Sequence, residues 1–558
     1  MSSNTPFGPG DGFPPASGSP EYLGAGEPNR DQEPSGRGRW PVLGAVAVGV
    51  AAVVGLGGWG AFTLLSGGGA QPADVLPAST VGYVSLDLDP SASQKIEAFQ
   101  MLKKFPALKQ ELGLDTTDDL RRLVFDKLQE DGTCTDLDYE SDIKPWVGER
   151  VALAAVPDAK PGLDAPVVAL QVRDQDKATS GIKALAGCAG AEDDFGFAFT
   201  ENYVLLTDSQ KRADALVDEA AAGSLADDAA FRDWTGKVGD PGILTMYAAA
   251  GAPAYLGDLR SGGWTSYDGN AELMAEAESM DTEMNEQMKA LYKDFKGMAV
   301  TVRFDDGAVD AELAGQGLPA GISSADGSSG PSLADLPAST GAALSIGLPD
   351  GWLDQWLESM AGFWGSGESV EDMLTAAEAE TGLTLPEDIE TLFGDGVSIS
   401  FDADTDLEAL FDAGDLSRLP VGLRVAGDPA EIMPVVDKLR AAIGPDADMV
   451  VVEPGDDVVA FGLNRDYVQA LLGGGSLGEE DAFQRVVPDA DEATAALYVN
   501  FDAGGGWAED LADELAATAG PDPSESDAQE NIAPLDALGV STWRDGDVQR
   551  GLLRLTTD

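Results

Sequence analysis

The chain reads as an α+β protein with a disordered N-terminal arm, one transmembrane helix, and then two tandem homologous α+β units with mostly antiparallel sheets. Three observations predict this. Residues 42–65, from Val42 to Leu65, form an apolar run without a charge, Asn, Gln or Pro. Five short motifs return once, in the same order, across the rest of the chain. Within each copy, hairpin signals alternate with helical periodicity, which favours an antiparallel sheet with interposed helices over a doubly wound parallel one.

Residues 1–39 are dense in Gly and Pro and short of large apolar side chains. Such an arm cannot bury enough surface to offset its ordering entropy and is expected to be disordered. Residues 40–66 follow as the anchor. A helix of about 24 residues covers about 36 Å, enough to cross a hydrocarbon core of about 30 Å with some tilt. In lipid it satisfies its own backbone hydrogen bonds. Arg37 and Arg39 precede the run, and no charge follows it until Asp74. The positive-inside bias then keeps the N-terminus cytoplasmic and places the C-terminal part outside a cell membrane that is crossed once. A cleaved signal peptide is the competing reading, but its apolar region is usually about 7–15 residues and follows a shorter arm. Ala47, Ala51 and Gly55 fall four apart, a spacing that would allow a weak homodimer through the span. Residues 67–73 are a short flexible tether.

The copies are expected over residues 74–320 and 333–558, joined by a Gly/Ser-rich linker at 321–332. LPAST at 76–80 returns at 336–340. DIKPWVG at 142–148 corresponds to DIETLFG at 388–394, and APVVALQVRD to LPVGLRVAGD. Gly223-Ser224-Leu225 with Phe231 matches Gly475-Ser476-Leu477 with Phe483. FDDGAVDAEL matches WRDGDVQRGL, each with an Asp-Gly pair read as a type I′ hairpin turn. Two further hairpins are expected at FGFAFT-EN-YVLLT and MVVVE-PGDD-VVAFGL. Helical patterns lie between them, over 96–112, 177–186, 208–221, 432–442 and 466–472.

The Pro/Gly-rich arm, single span, LPAST-type lead-in, DIKPWVG segment and lone cysteine pair resemble the actinobacterial, membrane-anchored domain-of-unknown-function family 3352. The resemblance implies a membrane-anchored protein without an assigned activity, and it supplies no functional residues. LPAST is not a sortase signal, because Ser79 and Ser339 stand where that signal needs Thr and no hydrophobic tail follows.

Composition narrows the chemistry. A net charge of −64 argues against nucleic acid, whose binding rests on Lys and Arg at phosphates. The absence of histidine removes Ser-His-Asp and Cys-His catalysis and, with two cysteines, any ordinary zinc or haem site. Cys134 and Cys188 read as a disulfide in an oxidising compartment. No catalytic residue, cofactor or metal site is assigned. Asp402, Asp404 and Asp406 imitate a calcium loop, but Leu407 replaces its turn glycine. Asp136, Asp138, Glu140 and Asp142 alternate as a solvated edge would.

Two apolar stripes remain. One runs from Leu273 to Met298 through Met280, Met284 and Met288; the other runs from Trp352 through Trp356 to Trp364. Each reads first as core, and second as a groove for an apolar peptide or lipid. The expected function is a membrane-anchored, non-enzymatic binding or scaffold module of the cell envelope, with the lipid bilayer and an unknown envelope partner as its contacts. The alternatives are a hydrolase using acidic residues and a carrier of a lipid or apolar peptide.

Overall fold

The computed structural model of the chain describes residues 70–87, 101, 104–105, 121–122, 125–126, 129, 134–157, 166–188, 195–255, 292–305, 307–318, 332–361, 370–404, 416–505, 507–508 and 532–558. The first eight strands are β1 (Gly82–Asp87), β2 (Val147–Ala155), β3 (Val167–Val172), β4 (Gly196–Phe199), β5 (Tyr203–Thr207), β6 (Leu244–Ala249), β7 (Gly297–Asp305) and β8 (Ala308–Gln316). The next eight are β9 (Thr340–Gly347), β10 (Gly396–Asp402), β11 (Val421–Ala426), β12 (Val451–Pro454), β13 (Val458–Gly462), β14 (Ala495–Asn500), β15 (Leu535–Asp545) and β16 (Val548–Thr557). All belong to one sheet, in the order β12-β13-β11-β10-β9-β14-β15-β16-β8-β7-β6-β1-β2-β3-β5-β4. Neighbouring strands are antiparallel, as at β1–β2, β8–β16 and β9–β10.

The expected fold class is corrected on two points. The two copies do not build separate sheets; β8 and β16 pair along their length and make one. Each would otherwise present a row of unsatisfied N–H and C=O groups, and pairing removes both open edges at once. Among the described residues, moreover, no helix is long and apolar enough to cross a membrane. The arm, the 42–65 run and the Ala47/Ala51/Gly55 stripe lie outside the described residues. The transmembrane helix, the single-pass membrane location and the cytoplasmic-to-exterior topology built on it are therefore unsupported.

Strand order from the junction outward is the same on both sides, and so is the register. Ala169 opposes Leu205 as Arg424 opposes Ala460, and Tyr83 opposes Tyr247 as Ala343 opposes Tyr498. The recurring motifs hold equivalent places. Leu76 and Leu336 are fully buried, and their carbonyls accept from the N–H groups of Leu225 and Leu477 at 2.8 and 2.9 Å. LPAST and GSL, distant in sequence, are thus hydrogen-bonded to each other in both halves. The β15–β16 turn departs from expectation. Asp545 opposes Val548, so Gly546 and Asp547 form the loop, and only Gly546 takes a positive φ, +61°. A glycine at the first central position is the type II′ arrangement, not type I′.

Helices α1 (Gln175–Cys188), α2 (Gln210–Ala222) and α3 (Ala229–Lys237) serve the first half. In the second half lie α4 (Trp352–Ala361), α5 (Val370–Thr381), α6 (Glu387–Phe393), α7 (Pro429–Ile443), α8 (Arg465–Leu472) and α9 (Asp481–Val486). α2, α3, α8 and α9 cover one face, where Tyr83, Trp234 and Tyr247 pack in the first half and Tyr467, Phe483 and Tyr498 in the second. α1 and α7 cover the other face. Trp146 of the DIKPWVG segment is buried beneath α1 and donates its Nε1–H to Asp142 O at 2.6 Å. Cys134 and Cys188 are disulfide-bonded with Cα atoms 5.0 Å apart, tying the segment before this motif to the end of α1.

The junction carries charge as well as backbone pairing. Arg554 of β16 lies 3.3 Å from the Asp310 carboxylate of β8, and Arg550 donates to Lys237 O. Beside them Arg303 pairs with Glu312. Burial pushes the Asp310 carboxyl up to about 6, against the pull of Arg554 and Arg303.

A Cβ at Gly181 would sit 2.2 Å from the Trp146 indole nitrogen, so Gly181→Ala should cost about 1–3 kcal/mol in denaturant unfolding despite its better helix propensity. For Asp310, the folded form holds its proton more tightly than the unfolded one, whose carboxyl titrates near about 4. Its contribution to stability must then fall as pH rises from about 4 to about 6 and stay flat on either side. Asp310→Asn should remove that slope from a series of unfolding midpoints across this range.

Candidate apolar cleft of the second half

A cleft of about 220 Å³ opens between α7 and the β11, β13 and β12 face. α7 forms there for local reasons. Asp428 Oδ1 accepts from the Ala430 N–H at 2.8 Å, Pro429 takes the first helical position, and Gly444 at φ +80° ends the helix. Its buried residues are Ile432, Val435 and Val436, of which Ile432 and Val436 pack on the sheet around Val425 and Val459. The apolar stripe of α7 then outruns the sheet that could cover it. Leu439 and Ile443 line the cleft, and Ile443 is 59% exposed.

Strand pairing builds the floor. Leu423 opposes Phe461, and Phe461 opposes Val452, so three apolar side chains stand in a row on one face. Leu392 and Phe393 of α6 form the far wall. At the mouth Val450 is 38% exposed, and the neighbouring Met449 is 69% exposed. Arg440, on the last turn of α7, is the single charged residue of the lining. Among the described residues it makes no ion pair.

The walls are braced from behind. Lys438 of α7 reaches both carboxylate oxygens of Asp388 in α6, at 2.9 and 2.7 Å. Asp388 also accepts from the Thr384 N–H at 2.6 Å. Burial opposes its charge, but the hydrogen bonds from Lys438 and Thr384 outweigh burial and hold the carboxyl below its ordinary range. Trp352 meets Phe393 edge-to-face at 5.8 Å, so it backs the wall and does not line the cleft.

Of the apolar stripes read in the sequence, Trp352 backs the cleft through Phe393, while Trp356, 44% exposed, is not among the lining residues. Met280, Met284 and Met288 lie outside the described residues. The end of that stripe is a strand, since Gly297 opens β7 and Met298 is within it. The lining residues Leu439, Ile443, Val450 and Phe461 were missed as a site. Their signal was a helix stripe extending to Ile443 just before Gly444-Pro445, beyond the length needed to cover a short hairpin.

The acidic clusters are occupied locally. Asp138 Oδ1 accepts from the Ser141 N–H at 3.0 Å, and Glu140 pairs with Lys144 at 2.7 Å. Asp402 Oδ1 accepts from the Asp404 N–H, while Asp406 lies outside the described residues. Asp502, Asp536 and Asp558 converge closely enough to hold a cation, a grouping not singled out in the sequence. Asp536 Oδ2 there already accepts from Arg485 and Thr556, at 2.7 and 2.6 Å.

Lys438→Met should lower stability by about 0.5–1 kcal/mol near neutral pH. The loss belongs to a carboxyl whose folded pKa is lowered, so it should be present above about pH 4 and vanish as pH falls through that lowered value. Urea midpoints of wild type and variant at a few pH values measure it.

The family model described as "Protein of unknown function (DUF3352)" matches residues 46–411. Among solved structures, crystal form III of TP0453 is 10% identical, covers 46% of this chain and 82% of its own, and has a TM-score of 0.21. Crystal form I of TP0453 is 8% identical over 45% of this chain and 80% of its own, with a TM-score of 0.20. Scores of that size carry no argument about fold or function. No curated protein matches the chain. The match spans more than half of the sequence, and on that ground the chain belongs to the DUF3352 family of proteins of unknown function.

Proposed function

We propose that this chain is a non-enzymatic binding module, and that its cleft takes a short aliphatic segment bearing an acidic end. The observation that carries this reading is the lining itself. It is apolar except for Arg440, on the last turn of the helix that also carries the exposed Ile443, and it includes the exposed Val450. Apolar rims exposed around a preformed apolar recess favour a ligand that removes both from water. The volume bounds its size. About 220 Å³ is below the ~300–1,000 Å³ of sites for drug-sized ligands, which suits a short chain better than an entire lipid. Arg440 supplies the complementary charge in a protein of net charge −64.

Calorimetric titration of the full chain with octanoate and with octanol tests this. Wild type should bind both saturably. Leu439→Asp and Ile443→Asp should each weaken both by about tenfold or more, the equivalent of about 1.4 kcal/mol. Arg440→Gln should weaken octanoate and leave octanol unchanged. Absence of saturable binding by wild type, or undiminished binding by both Asp variants, would overturn the reading.

A further inference from the structure

On the opposite face of the same half-sheet, β11 buries a cation that the described residues do not satisfy. Arg424 is 8% exposed, and among the described residues its Nε and Nη1 have no hydrogen-bond partner. Directly across the ladder stands Ser398, fully buried, whose Oγ also lacks a partner. Register partners in an antiparallel pair point to the same face, with Cβ atoms about 5 Å apart. The floor around them is small: Ala460 opposes Arg424 on the other side, and Ser345 opposes Ser398. Among the described residues, nearby acids do not supply the missing charge. Glu453 is paired with Arg465, and Asp335, exposed on its short helical turn, acts on Arg424 only through space. Burial accordingly pulls the Arg424 guanidinium below its ordinary range.

The first half supplies two internal controls. At the equivalent register positions it has Ala169 and Ala152, both fully buried, so the sheet itself needs neither a cation nor a hydroxyl there. Its buried arginines, Arg150 and Arg212, each keep a guanidinium hydrogen bond, that of Arg212 running from Nη2 to Val156 O at 2.8 Å. Arg150 Nε donates to Asp87 at 2.8 Å, and Nη1 donates to Ala70 O at 3.2 Å. An unpaired buried guanidinium is costly, and orphaned buried polar groups are rare.

We propose that Arg424 and Ser398 form a receptor for the carboxylate of a small organic acid, seated between β10–β11 and the layer of α8. A guanidinium presents a planar fork that matches the two oxygens of a carboxylate, and a serine hydroxyl can donate to either. The site is separate from the apolar cleft, because Arg424 and its chain neighbours Leu423 and Val425 point to opposite faces. Its failure would leave the reading of the cleft untouched.

The test is thermal unfolding of the full chain in sodium acetate against sodium chloride at equal ionic strength. Wild type should show a saturable, acetate-specific rise in Tm. Arg424→Met, which fills the volume without the charge, should abolish that rise while unfolding at or above the wild-type temperature in chloride. Ser398→Ala should shift the acetate midpoint to higher concentration by about threefold or more. The proposal is overturned if wild type shows no acetate-specific rise, or if Arg424→Met keeps it. A strongly destabilised Arg424→Met with no acetate effect in wild type would instead identify a carboxylate of this chain as the partner, and that too refutes the receptor.

Discussion

The pairing of β8 with β16 is the constraint on which the remaining architecture depends. Each half ends in a long hairpin whose last strand would stand at an open edge. Open edges recruit other strands, and the remedy here is internal. Because the register runs Gln549 to Gly315 through Leu555 to Val309, the two halves meet nearly symmetrically about their last strands. Asp310 and Arg554 meet there under burial, so the junction holds an ion pair whose carboxyl is costly to ionise.

From that junction the strand order is fixed outward in both directions, and the faces are fixed with it. Alternation along each strand sends Tyr83, Tyr247, Tyr498 and Arg424 to the face covered by α2, α3, α8 and α9. It sends Leu423, Phe461 and Val452 to the face covered by α7. The same scaffold thus carries an apolar cleft on one side and a buried polar pair on the other. Neither is demanded by the sheet. The first half fills the positions equivalent to Arg424 and Ser398 with alanines, and the common scaffold tolerates both solutions.

Much of the local design was readable. The hairpins at 196–207 and 451–462 and the helices near 177–186, 208–221, 432–442 and 466–472 declare themselves through turn residues and periodicity, which are set over a few neighbouring residues. The Cys134–Cys188 bond followed from composition and is present. The apolar cleft was not read from the sequence: Trp352 and Trp356, singled out there as a groove, are not among its lining residues, and Trp352 supports Phe393 from behind. Periodicity marks a face as apolar without saying whether another element will reach it.

What the sequence by itself determined is therefore the order of motifs, the hairpins, most helices and the exclusion of histidine-based chemistry, since all of these rest on short-range or compositional physics. The tertiary structure decided that sixteen strands make one sheet and not two, because edge pairing joins segments about 240 residues apart in sequence. It also decided that the LPAST and GSL motifs are hydrogen-bonded to each other, and that Ile443 overhangs the sheet while Arg424 is enclosed by it. Burial is a property of the assembled layers, and a residue's neighbours in the chain do not carry it.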